Sequence, residues 1–185
     1  MHNAFSDQTI LALSQTLDTL HATPGLRGVF VSGGSSKSFC AGADLEWMKR
    51  AATYTAEQNT ADALALSGML YKLSTLPCPT VALVHGNAFG GGVGLVAACD
   101  IAVGTADAMF ALSEARLGLI PATISPYVLQ RIGPSHATRY FLTGERFHAP
   151  RAQQALALPL PCAPKVVLTC ACPCRRADRS AARGG

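Results

Sequence analysis

The sequence predicts an α/β domain, on three observations. Short apolar runs at residues 26–31 and 80–85, flanked by glycine or proline, have the length and borders of buried strands. Longer stretches at 6–22 and 55–76 carry apolar residues at helical spacing. The run at 80–85 then passes through Gly86 and Gly90-Gly91-Gly92 straight into a helix-like segment. With 185 residues, 49% of them apolar, the chain is long enough for one well-buried domain.

In chain order, Ile10, Leu13, Leu17 and Leu20 form one face of a helix for which Ser6 is the N-cap, and Pro24-Gly25 ends it. After the strand at 26–31 comes a Gly/Ser loop at 32–38, then the small residues of 40–43, where the backbone can approach a ligand. Asp44 is placed to cap a short helix at 45–50, a reading that outweighs a catalytic one, and Trp47 and Met48 are core or pocket wall. Ala63, Leu66, Leu70 and Leu73 mark the long helix at 55–76, which Pro77 or Pro79 stops. From about Gly91 a helix runs to Asp100, which ends it before a further strand. Two short helices follow at 123–132 and 135–142, broken by Gly133-Pro134, and another starts near Pro150.

Charge and cysteine both divide the chain near residue 160. Up to Pro161 there are ten Lys/Arg against ten Asp/Glu; from Cys162 on there are five against one, so the net charge of +4 sits in the tail. A neutral body gives no basic face for nucleic acid. No apolar run has the roughly 18 residues of a membrane span, and no basic-then-apolar leader opens the chain, so a soluble cytoplasmic protein is expected. Cys40, Cys78 and Cys99 sit singly among small and apolar residues, as buried thiols do. Cys162, Cys170, Cys172 and Cys174 crowd the tail, but no histidine follows them and their spacing is not that of a zinc ribbon, so no metal is expected. Residues 158–185 mix Pro, Cys and Arg with little period beyond the apolar run at 165–168, and read as disordered or as the product of an altered reading frame.

The richest stretch is 85–121. The first turn of a helix beginning near Gly91 has free N–H groups and the positive end of the helix dipole, so it suits a negative charge. A phosphate is one reading, weakened by the absence of a GK[ST] after the glycines. An oxyanion is another; glycines placed for close helix packing are a third. Glu114 stands among Met109, Phe110, Ala111, Leu112 and Ala115, where burial would raise its pKa towards neutrality and make it a proton carrier. The plain alternative is an exposed glutamate.

Three segments in order, SFCAGADL at 38–45, HGNAFGGGVGLVAACDIAV at 85–103 and FALSEARLGLIP at 110–121, resemble the crotonase, or enoyl-CoA hydratase/isomerase, superfamily. The match runs from about His2 to Ala157, with 158–185 outside it. GVGL and SEARLGLIPATISPYV look most like the bacterial methylglutaconyl-CoA and isohexenylglutaconyl-CoA hydratases. The resemblance implies a spiral of ββα units, assembled as trimers or hexamers, with an acyl-CoA thioester as partner and no cofactor beyond the coenzyme A of the substrate. It implies that the backbone N–H groups of Ala43 and Gly91 hold the thioester oxygen, where preorganised donors stabilise an enolate as it forms. It also implies that the loop of Lys37, Cys40 and Ala41 meets coenzyme A, with Lys37 and more weakly Arg27 as phosphate contacts or as ordinary solvated charges.

Family hydratases use two glutamates. The second matches Glu114; the first falls at Gly94, three residues after Gly91, and is absent. With one carboxylate, hydration of a branched 2-enoyl-CoA is expected, with double-bond isomerisation, which needs a single base, as the alternative. Gly94 is expected either to leave room beside the reacting carbons for a branched or carboxylated acyl group, together with Gly90, or to serve close packing against Phe89 or a neighbouring helix. The chain starts inside a motif that relatives reach later and turns atypical where they continue, so a truncated or frame-shifted product, working or non-catalytic, is also expected.

Overall fold

The computed structural model describes residues 2–155 and 166–170. One pattern repeats along them: a strand for a first sheet, a strand for a second, then helix. The first turn begins with β1 (Val29–Ser32), touches the second sheet through a single bridge from Cys40 to Ala88, and continues into α2 (Leu45–Ala51) and α3 (Ala56–Ser74). The next is β2 (Thr80–Val84), β3 (Asn87–Phe89) and α4 (Gly91–Ala98). Then come β4 (Ile101–Thr105), β5 (Met109–Ala111), a 3-10 turn (Ser113–Leu117) and α5 (Ser125–Thr143). The first sheet has the order β1-β2-β4-β7 and the second β3-β5-β6, with β1, β2 and β4 parallel and β3 parallel to β5. This is the ββα spiral expected of the resemblance.

Local chemistry explains the element borders. The Ser6 side chain accepts from the Thr9 N–H and opens α1 (Asp7–Ala22). Asp44 caps α2, its Oδ1 accepting from the N–H groups of Glu46 and Trp47 at 3.0 and 3.2 Å, so the capping reading holds. Thr55 and Gln58 form a reciprocal capping box at the start of α3. In α5, Gly133 is non-helical with φ +74° ahead of Pro134, which is the expected break between two helices.

Leu70 and Leu73 of α3, Leu95 and Ala98 of α4 and Ile124 and Val128 at the start of α5 close one core over the sheets. Cys40, Cys78 and Cys99 are buried thiols, Cys40 and Cys99 within that core. Asp100 is structural: its Oδ2 accepts from both the N–H and the hydroxyl of Thr80, each at 2.9 Å, and fixes β2 to the end of α4.

Several short elements go beyond what the sequence suggested. β3 was read as glycine-rich turn, and β6 (Arg146–His148), antiparallel to β5, was not foreseen. α6 (Ala149–Ala155) starts where a helix near Pro150 was expected. Within the tail, Val166–Cys170 forms β7, antiparallel to β4 with Ala102 opposite Thr169. The remaining readings of 158–185, including those of Cys162, Cys172 and Cys174, lie outside the described residues. Among the described residues no helix is long and apolar enough to cross a membrane.

Candidate active site

Ala43, Gly91 and Glu114, 71 positions apart at the extremes, line one cavity of about 230 Å³. The spiral brings them there by stacking successive ββα turns, so that the loop before α2, the start of α4 and the 3-10 turn after β5 converge. Trp47 of α2 and Asp62 and Leu66 of α3 face the same space.

The Ala43 N–H makes no hydrogen bond among the described residues, whereas its neighbours are held tightly. Phe5 N–H donates to the Gly42 carbonyl and Asp44 N–H to the Phe5 carbonyl, both at 2.7 Å. The segment preceding Phe5 clamps the loop further. Asn3 Nδ2 reaches the carbonyls of Gly33, Ser38 and Phe39 at 2.8, 3.0 and 3.2 Å, and the Ala41 N–H donates to the carbonyl of His2. Asn3 takes a left-handed conformation, φ 56°, which asparagine tolerates better than most residues.

Gly91 is the first residue of α4, whose opening N–H groups have no partner inside the helix. The Phe5 ring lies against it: a Cβ at position 91 would come 2.8 Å from Phe5 Cδ2. At the far end of α4, the Arg131 guanidinium of α5 donates to the carbonyls of Val96, Ala97, Cys99 and Asp100. A cation on those carbonyls complements the negative end of the helix dipole and fixes α4 along its axis. Sequence reasoning missed Phe5, Asn3 and Arg131, because their partners lie 30 or more residues away.

Glu114 is half-buried with one oxygen, Oε2, enclosed and without a hydrogen-bond partner. Desolvation is the main influence on it and pushes its carboxyl above the usual range, against a smaller opposing hydrogen bond from its own backbone. Its other oxygen explains Gly90. That residue has φ +50°, and a Cβ there would stand 3.0 Å from Glu114 Oε1. Glycine is therefore demanded twice, by conformation and by the carboxylate beside it.

The space expected at Gly94 is not there. A Cβ on residue 94 would come within 2.9 Å of Ile124 Cβ, closer still to its Cγ2, and 3.6 Å from Leu70 Cδ1. Gly94 is buried and forms no part of the cavity wall; Ile124 stands between it and the cavity. Of the two readings of this glycine, close packing is the one the structure supports.

The coenzyme A candidates divide. Lys37 is exposed on the loop ahead of the site, and Arg27 is exposed beside β1. Cys40 is 2% exposed, its N–H donates to the Asn87 carbonyl and its own carbonyl accepts from Phe89, so neither side chain nor backbone is free for a ligand. Burial pushes its thiol up, which makes it unreactive. Ala41 is half-buried and its carbonyl accepts nothing among the described residues.

Two unpartnered N–H donors, a protonatable carboxyl and a largely apolar wall suit a reaction in which charge develops on one oxygen while a proton moves nearby. Among the described residues no group of three His, Cys, Asp or Glu side chains is placed to hold a metal ion.

Comparisons with known proteins identify a family. The family model described as enoyl-CoA hydratase/isomerase matches residues 1–161. A Thermus thermophilus protein provisionally named an enoyl-CoA hydratase is 38% identical over 156 residues, 84% of this chain and 61% of that one. The solved structure of an enoyl-CoA hydratase from Shewanella pealeana superposes with a TM-score of 0.82 at 43% identity, over 85% of this chain and 59% of the other. An enoyl-CoA hydratase/isomerase (crotonase) structure from Legionella pneumophila gives 0.82 at 44%, over 85% and 60%. The chain thus spans about three-fifths of the length of each.

Proposed function

The chain belongs to the enoyl-CoA hydratase/isomerase family, with the α/β crotonase fold, and from that premise we propose that it adds water across the 2,3-double bond of a 2-enoyl-CoA thioester. The observation that carries the reading is that Ala43, Gly91 and Glu114 line one cavity, with the N–H groups of Ala43 and Gly91 unpaired among the described residues. The two N–H groups hold the thioester oxygen and stabilise the enolate formed as water attacks C3. Glu114, kept protonated more readily than an ordinary glutamate, delivers a proton to C2. Coenzyme A belongs to the substrate, and the reaction needs no further cofactor.

The acyl group assigned is branched and uncharged. Leu66, Ile120 and Ile124 give the cavity an apolar wall. The carboxylated acyl group of a methylglutaconyl thioester would meet Asp62 and Glu114 there, and no basic side chain among the described lining residues. Lys37 is proposed as a phosphate contact and the Ala41 carbonyl as a contact of the adenine. Gly90 acts by admitting the Glu114 carboxylate, and Cys40 by packing.

Isomerisation is the second reading, favoured by the lack of a carboxylate at Gly94. Loss of the conjugated absorbance of a branched 2-enoyl-CoA in the presence of the protein is the expected result for hydration. Gain of that absorbance from a 3-enoyl-CoA marks isomerisation. Glu114→Gln should lower either rate by about 100-fold or more with acyl-CoA binding retained; unchanged turnover would remove Glu114 from the chemistry.

A further inference from the structure

We propose that Asp62 is the second carboxylate of this site and takes the proton from the attacking water, the task for which the chain has no side chain at Gly94. The inference rests on the hydratase reading above and deepens it.

Asp62 sits in the second turn of α3, four residues before Leu66 and in line with Met69, Leu70 and Leu73, the residues by which α3 enters the core. Asp62 itself is half-buried on that stripe. No hydrogen bond or ion pair to Asp62 exists among the described residues; the acidic partners of the ion pairs are Asp7, Asp18, Glu46 and Glu145. It faces instead the cavity that Ala43, Gly91 and Glu114 line. Two further lining residues carry an enclosed polar atom without a partner. Glu114 Oε2 lacks a donor, and the Nε1–H of Trp47, a residue only 9% exposed whose side chain forms part of the wall, lacks an acceptor.

The geometry also explains why the task cannot return to position 94. Ile124 fills the volume that any side chain there would occupy. The carboxylate must come from another element, and among the described lining residues Asp62 and Glu114 are the carboxylates present.

The step balances with two carboxyl groups. Water forms its oxygen bond to C3 as one of its protons passes to the Asp62 carboxylate. The C2–C3 π pair moves towards the carbonyl, placing negative charge on the thioester oxygen held by Ala43 and Gly91. Return of that pair to C2 takes the proton of Glu114. One water has been added, Asp62 has gained a proton and Glu114 has lost one, and exchange with solvent restores both.

The test separates the two carboxylates by reaction. Exchange of the α-protons of a saturated acyl-CoA with deuterium oxide needs the oxyanion hole and Glu114 but no attacking water. Asp62→Asn, which keeps the shape of the side chain, should lower hydration of 2-enoyl-CoA by about 100-fold or more and leave α-proton exchange within a few-fold of the unmodified protein. Asp62→Glu should recover part of the hydration. Glu114→Gln should lose both reactions. Unchanged hydration in Asp62→Asn, or parallel loss of hydration and exchange, overturns the role of Asp62 while the hydratase reading stands. Absence of both reactions in the unmodified protein overturns the hydratase reading and the role of Asp62 with it.

Discussion

At the scale of single residues, Glu114 and Gly94 show how differently a site can be read. Glu114 was recognisable from its apolar neighbours, and burial does raise its pKa. This has a consequence for stability. The folded protein binds the Glu114 proton more tightly than the unfolded chain, so stability is lost as pH rises from the ordinary glutamate value, about 4.3, through the raised folded value. Glu114→Gln is free of that loss. The variant should match the unmodified protein in melting temperature near pH 4 and exceed it at pH 7 to 8, as thermal unfolding would record; a difference that does not change with pH would place the carboxylate in water. At Gly94 the sequence leaves two readings, room or close packing, undecided, because the space beside a helix belongs to whatever packs on it, here Ile124, 30 residues further on. Gly94→Ala overfills that contact and should cost about 1–3 kcal/mol in denaturant unfolding. In an Ile124→Ala background the same change should cost clearly less, because the opposing methyl groups are gone.

Among elements, those long enough to show a period were legible and the short ones were not. α1, α3 and the broken α5 follow their apolar spacing and caps, and Ser6, Asp44 and Gly133-Pro134 mark real borders. β3 and β6 are three residues each, too short to show a period in the sequence, and their pairing depends on β5 lying between them. The loop carrying Ala43 is a similar case. It is not stiff by itself but is fixed by the segment ending at Phe5, whose Asn3 amide binds three carbonyls of the loop. Each such bond is worth about 0.5–1.5 kcal/mol net, and together they hold the Ala43 N–H group proposed as a donor to the thioester oxygen. Asn3→Ala should therefore lower stability by about 1–3 kcal/mol. It should also lower kcat by about tenfold or more, since small misplacements of a catalytic donor are costly. Full turnover in a protein destabilised by this amount would show that the loop keeps its geometry without the clamp.

At the scale of the whole molecule, an apolar patch beside the site stands exposed. Leu117, Leu119 and Ile120 are 59%, 53% and 80% exposed, and lie around Gly118 where the 3-10 turn ends after Glu114. Leu119 and Ile120 also line the cavity, so the patch is continuous with the site rather than scattered. Nothing in the amino-acid pattern distinguished these residues from core, because exposure is settled by the fold and by the partner together. The family resemblance leads us to expect a homotrimer or a pair of trimers, in which such a patch is covered by a neighbouring copy. In sedimentation the protein should then run at three or six times its monomer mass. Leu119→Glu combined with Ile120→Glu should shift it to the monomer, because a charge pair placed in an apolar contact must be desolvated without a partner. Hydration should fall in step with dissociation, since the wall of the cavity would open to water. A monomer from the outset, or full activity in the dissociated variant, would instead make Leu119 and Ile120 a wall that each chain completes alone.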